Sequence, residues 1–207
     1  MHLKWSKLNI YEDTYKIILN KYSKVNLKRS ANLVLYIDST DIYNKNGCEN
    51  IGYGQDPKKK KTRVSAICNK KKQILSLIII NTNTKIDKFD KTKIIKTLKH
   101  DSQTIESSVD NLLIDVFKCK QLKLVGDKGY LRTQKDKQML MDTKNTQIIY
   151  PHKKNQKESK KLLKDRYVIE NVFANLKRFD RICMRKDKLD VTFKGFLFLA
   201  TIFTFKK

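Results

Sequence analysis

Two short, continuous apolar runs in this chain each stop on an aspartate: Leu33-Val34-Leu35-Tyr36-Ile37 before Asp38, and Leu122-Lys123-Leu124-Val125-Gly126 before Asp127. Runs of this length and composition predict short buried strands, the first a central strand covered on both faces. A carboxylate at the end of such a strand is costly unless something neutralises it, because a charge leaving water loses its solvation. A third acid, Glu170, lies in a helix-patterned, cation-rich stretch from Arg166 to Lys177. Three such acids converging in a basic protein predict a site for divalent metal and phosphate.

The basic character is extreme, with a formal net charge of +25 on 207 residues. Hydrophobic residues make up 40% of the chain, enough to fill one ordinary domain and to exclude a disordered polybasic tail. A field of that sign favours polyanions, nucleic acid first and an anionic membrane surface second. Lys, Asn and Ile crowd the sequence while Gly (6), Pro (2) and Trp (1) are scarce, the bias of AT-rich coding. Many lysines are therefore read as solvated filler, and arginine carries more information. Arg166, Arg178, Arg181 and Arg185 fall on or beside the Glu170 stretch, and the guanidinium fork suits phosphate better than an ammonium does.

Other classes find little support. Cys48, Cys68, Cys119 and Cys183 form no C-x-x-C pair, which predicts reduced thiols. The three histidines are too scattered for a zinc site. The N-terminus shows no signal-peptide pattern, and the apolar stretch from Phe193 to Phe205 is too short to span a bilayer, so it predicts a buried helix.

The pattern along the chain predicts an amphipathic helix over 11–24 and a basic connector through Lys28 and Arg29. A strand over 33–38 follows, then a polar loop over 41–61. Runs at 62–68 and 73–80 predict a hairpin about the turn Asn69-Lys70-Lys71-Lys72. Residues 81–102 carry no clear pattern. A helix over 105–117, a strand over 122–125, a helix over 133–142 and a strand over 147–150 come next. A cationic loop spans 152–161, and one helix runs from Leu162 to about Arg178. This order implies a mixed sheet covered by helices.

Phosphodiester chemistry needs an activated oxygen nucleophile and a stabilised leaving oxygen, which two divalent cations can serve together. Carboxylates from two strand ends and one helix can meet at one edge of an α/β sheet. Arg166, Glu170 and Lys177, at i, i+4 and i+11, lie along one side of a helix. Plainer readings stay open at this point: an aspartate after a strand often only forms a turn, and Arg166 with Glu170 is an ordinary i, i+4 ion pair. Asp101 and Asp41 are second-tier acids that could stand in as ligands. No nucleotide-binding glycine fingerprint occurs.

The surroundings resemble a known family. Tyr36-Ile37-Asp38-Ser39-Thr40, His100-Asp101-Ser102, Val125-Gly126-Asp127-Lys128-Gly129-Tyr130, Tyr150-Pro151, the run Asp165 to Arg181, and Phe196-Leu197-Phe198-Leu199-Ala200 are similar to blocks of insertion-sequence DDE transposases. The resemblance covers about residues 33–205. It implies an α/β fold, RNase H-like (retroviral integrase-type), with a mixed sheet flanked by helices. It also implies a catalytic and metal-binding triad of Asp38, Asp127 and Glu170, holding two Mg2+ or Mn2+ ions. The family's Y-x2-R-x3-E-x6-K signature maps onto Arg166, Glu170 and Lys177, with Leu163 in place of its tyrosine; Arg178 and Arg181 join Arg166 and Lys177 as phosphate contacts. The implied activity is metal-dependent cleavage at transposon ends and strand transfer. The implied partner is double-stranded DNA, bound by a homo-oligomer, with no membrane, in the cytoplasm or wherever the host DNA resides and not secreted. Relatives carry a helical, end-recognising segment ahead of the first acid. The short stretch before Asp38 therefore reads as a helical remnant and basic connector over 1–30, with the catalytic domain over 31–207. A truncated frame, leaving a non-catalytic or domesticated DNA-binding relic, is the alternative; a basic RNA-binding structural protein is a third reading, in which the three acids would not converge.

Overall fold

The computed structural model describes residues 1–22, 32–45, 48–53, 60–86, 94–97, 99–114, 119–151 and 157–205. The apolar run before Asp38 forms the middle of a long strand, β1 (Asn32–Asn44), whose Leu35, Tyr36 and Ile37 are buried. Its partners on one side are the hairpin strands β3 (Lys60–Cys68) and, beyond it, β4 (Ile74–Ile79). The hairpin forms as expected. Asn69 builds its turn, the side-chain oxygen accepting from the backbone N–H groups of Lys71 (3.0 Å) and Gln73 (3.1 Å), and Lys72 takes the left-handed conformation at φ 65°.

On the other side β1 runs parallel to β7 (Gln121–Val125), which pairs in parallel with β8 (Thr146–Ile149) at the sheet edge. Three smaller elements complete the sheet: β2 (Gly52–Tyr53) on β3, then β6 (Ile94–Thr97) and β5 (Asn83–Ile86). A last short strand, β9 (Met184–Arg185), runs beside the far end of β1 at Tyr43 and Asn44. The sheet is mixed, as the sequence implied.

Helices cover it. α1 (His2–Lys7) and α2 (Ile10–Tyr22) pack on the C-terminal helix α8 (Asp190–Thr204), and Tyr15 and Leu19 of α2 are fully buried in the common core. The Tyr15 hydroxyl donates to the carbonyl of Ile74 at 2.8 Å, tying α2 to the hairpin. Gly195 lets α1 approach α8, since a Cβ there would collide with Ser6. α4 (Gln134–Lys144) starts where the Thr133 hydroxyl accepts from the Asp136 N–H and ends on left-handed Asn145. α6 (Tyr167–Leu176) lays Val168, Ile169, Val172, Phe173 and Leu176 against the sheet.

Several expectations need correction. β1 does not stop at Asp38, because Ser39 to Tyr43 go on pairing with β3; the start of the expected 41–61 loop is strand. The expected helix over 105–117 is α3 (Ile105–Asp110) and ends early. The chain then turns so that the Leu113 N–H donates to the Leu75 carbonyl at 2.7 Å, and Leu112 and Leu113 pack against the core. Residues 115–118 lie outside the described residues, as do the basic connector at 23–30 and residues 152–156. The remainder of the expected 152–161 loop belongs to a helix, α5 (Lys157–Lys164). The single helix expected over 162–178 is two, α5 and α6. Between them Asp165 and Arg166 bond back to Leu162 and Leu163 in tighter three-residue turns, and Asp165 accepts from Lys70 of the hairpin turn at 2.8 Å.

Candidate active site

The parallel pairing of β1 with β7 ends at Tyr36 and Val125, while β1 continues. From Ile37 to Ile42 no described strand lies beside β1 on that side until β9 joins at Tyr43. Such an opening beyond the carboxyl end of parallel strands is where open α/β sheets take ligands. Asp38 sits in it on the central strand, and Asp127 follows two residues after β7 ends, so the sheet brings the first two sequence-predicted acids to one edge.

Asp127 is held by its turn. Its Oδ1 accepts from the Gly129 N–H at 2.7 Å, capping a short 3-10 turn over Lys128–Tyr130. The two glycines of Gly126-Asp127-Lys128-Gly129-Tyr130 are required for room. A Cβ on Gly126 would lie 2.7 Å from the Tyr130 ring and 3.2 Å from Ile37. A Cβ on Gly129 would lie 2.8 Å from Asp101 Oδ2 and 2.9 Å from Asp127 Oδ1. Sequence reading saw a turn here; the structure shows a close approach of ring, backbone and two carboxylates.

Asp38 is largely buried, and its carboxyl is pushed up to about 6. Burial is the main cause, with the neighbouring Asp127 and Asp101 adding to it; the Ser39 N–H, 2.8 Å from Oδ1, and the Arg166 guanidinium act in the opposite sense. Arg166 lies 3.6 Å from Asp38 Oδ2 and donates to Glu170 Oε1 at 2.6 Å. The third acid is thus linked to the first through one guanidinium, with Glu170 itself exposed at the start of α6.

The other predicted cations differ in state. Lys177 and Arg178 are exposed just beyond α6. Arg181, on α7 (Asp180–Cys183), pairs with Asp187 and stacks on the Phe196 ring at 4.6 Å. Arg185, counted above in the arginine cluster, is fully buried. It donates to Thr62 Oγ1 (3.0 Å), the Asp187 carbonyl (2.9 Å) and Asp190 (2.6 Å), and stacks on Phe193. It serves the fold and offers nothing to phosphate.

Of the second-tier acids, Asp41 is engaged by Arg63 through two bonds of 2.8 and 3.2 Å. Asp101 accepts from the Ser39 hydroxyl and from Arg63 Nη1 at 3.2 Å, while its other oxygen faces Gly129. Sequence reasoning missed Ser39 and Arg63 as partners of this site, because only the strand pairing of β1 with β3 brings them beside Asp101. Tyr130 is fully buried with its ring against Gly126, and its hydroxyl lies beside Ser39 in the field of Asp101 and Asp38.

Among the described residues, no three His, Cys, Asp or Glu side chains stand close enough, as placed, to enclose one metal ion. The donor chemistry nevertheless fits a hard divalent cation. The groups at the opening are carboxylate and hydroxyl oxygens, and a carboxyl raised by burial, with its acidic neighbours adding to it, is one a cation would relieve. Among the described residues no helix is long and apolar enough to cross a membrane.

A family model described as "Transposase DDE domain" matches residues 29–205, most of the chain and all of the strands and helices that build this opening. No curated protein matches the chain.

Proposed function

Because the chain belongs to the transposase DDE domain family and has its RNase H-like fold, we propose that it cuts DNA at the ends of a mobile element and joins the freed ends to target DNA. The observation that carries this reading is the meeting of Asp38 and Asp127 at the open end of the β1–β7 pair, with Arg166 linking Asp38 to Glu170. In the first step water attacks the scissile phosphorus and the 3′-oxygen leaves. In the second, that freed 3′-hydroxyl attacks a target phosphodiester and displaces another 3′-oxygen.

Asp38, Asp127 and Glu170 would hold Mg2+ or Mn2+, which activates the attacking oxygen and stabilises the leaving one when bound. Arg166 neutralises the acids and orients Glu170. Lys177 and Arg178, exposed beyond Glu170, hold phosphates of the DNA, and the net charge of +25 draws the duplex in. Arg181 reaches phosphate only from its stacked position on Phe196. The enzyme works as a homo-oligomer on DNA.

The test uses a supercoiled plasmid carrying the sequences that flank the gene. The chain nicks at the element ends in Mg2+, whereas Asp38→Asn, Asp127→Asn and Glu170→Gln bring nicking to background and retain binding in a gel shift. Nicking by Asp127→Asn would overturn the assignment. Binding without nicking by the unaltered chain would favour the DNA-binding relic.

A further inference from the structure

We propose that Arg132 is a positioning residue for Asp127, and that its grip on Glu106 and Ser102 sets where the second acid stands relative to the first. The inference rests on the reading of the site given above and adds a residue outside the triad.

Asp127 lies beyond the sheet. β7 ends at Val125, and the Gly126 N–H still donates to the Ile149 carbonyl at 2.9 Å. The turn that follows is held by local bonds. Gly129 N–H donates to the Asp127 side chain, Tyr130 N–H to the Asp127 carbonyl at 3.3 Å, and Leu131 N–H to the Lys128 carbonyl at 3.1 Å. Bonds within one turn fix its shape and leave its place beside β1 open.

Arg132 supplies the tie. Its side chain is only 9% exposed, and all three guanidinium nitrogens are engaged. Nε donates to the Ser102 carbonyl at 3.0 Å, and Nη2 reaches the same oxygen. Nη1 and Nη2 take the two carboxylate oxygens of Glu106 at 2.5 and 2.8 Å. Glu106 stands in the first turn of α3, whose Ile105 and Val109 are buried in the core. Ser102 follows Asp101, which accepts from the Ser39 hydroxyl on β1 and from Arg63 on β3. A line of contacts therefore runs from β1, one residue past Asp38, through Asp101 and Ser102 to the end of the Asp127 turn. A guanidinium fork on a carboxylate fixes direction as well as distance, which an ammonium cannot do. The stakes are geometric, because a reacting group has to be held to about 0.5 Å.

The experiment follows amide hydrogen exchange by NMR in the full chain, without metal or DNA. It compares Gly129, whose N–H is held by Asp127, with Leu35 in the middle of β1. Arg132→Ala speeds exchange at Gly129 about tenfold or more and leaves Leu35 within about twofold. Arg132→Lys, which keeps the charge and loses the fork, lies between the two. Nicking of the plasmid described above falls about tenfold or more at saturating DNA, while the DNA concentration for half-maximal rate stays within about twofold. Should Arg132→Ala not fold, Glu106→Ala decides: Arg132 keeps its Ser102 bonds, and Gly129 still exchanges several-fold faster. Unchanged exchange at Gly129, or equal acceleration at Gly129 and Leu35, overturns the proposal. So does a raised half-maximal DNA concentration with turnover intact, which would make Arg132 a DNA contact. If Gly129 responds as stated in a chain that never nicks, the tie stands and the cutting assignment falls.

Discussion

Arg166 stands 3.6 Å from Asp38 and sets a positive charge beside a buried carboxyl that Asp127 and Asp101 repel. The guanidinium provides part of the neutralisation that a divalent ion would complete. It also ties the central strand to α6, since the same side chain binds Glu170.

The first prediction concerns that pair without divalent ions. Asp38 titrates near 6, above the 3.8 of an ordinary aspartate. A carboxyl raised on folding binds its proton more tightly in the native state. Its contribution to stability is therefore full below about pH 4 and is lost as the pH rises through about 6. Arg166→Ala removes the opposing charge and moves the midpoint higher. Carboxyl-carbon NMR across pH 3–8 on metal-free protein reads both midpoints, and an unshifted Asp38 in the variant would refute the coupling.

A second prediction follows from the room that Gly126 provides. Gly126→Ala sets a methyl group against the Tyr130 ring and Ile37, both fully buried and unable to move freely. Overpacking of this kind costs about 1–3 kcal/mol. Tyr130 directly follows Gly129, so the Asp127 turn shifts with it. The expected outcome is a modest loss in denaturant midpoint with a much larger fall in DNA nicking. A variant that nicks at the unaltered rate would show that the turn tolerates displacement.

Much of this was legible in the sequence, for reasons that differ by element. The buried runs before Asp38 and Asp127 and the hairpin about Asn69 carry their own signals, apolar continuity and turn chemistry, and these local preferences agree with the fold. Where a local pattern competes with a distant partner, the reading fails. The apolar spacing after Ile105 continues as a helix face would, but the Leu113 amide finds the Leu75 carbonyl and the helix ends. At the break between α5 and α6, Asp165 accepts from Lys70, which is remote in sequence. The orientation of Asp101 depends on Ser39 and Arg63, which only strand pairing brings near it.

Arg185 is the sharpest case of a residue whose type misleads, and it carries the last prediction. In the sequence it is only a further member of the arginine cluster that holds Arg178 and Arg181. Instead it is fully buried, paired with Asp190, bonded to Thr62, and stacked on Phe193 at 4.8 Å from the ring centre. It joins β9 and the start of α8 to β3, so its role is to close the far end of the sheet. Removing one partner of a buried pair leaves the other charge uncompensated, at about 3–5 kcal/mol. Arg185→Ala is expected to lose that much in urea unfolding, while its folded fraction binds DNA with the same dependence on salt as the unaltered chain. Lys177→Ala should behave in the opposite way, leaving stability within about 0.5 kcal/mol and lowering the salt slope by about one charge. If Arg185→Ala weakened DNA binding with stability intact, the buried network would not be its purpose.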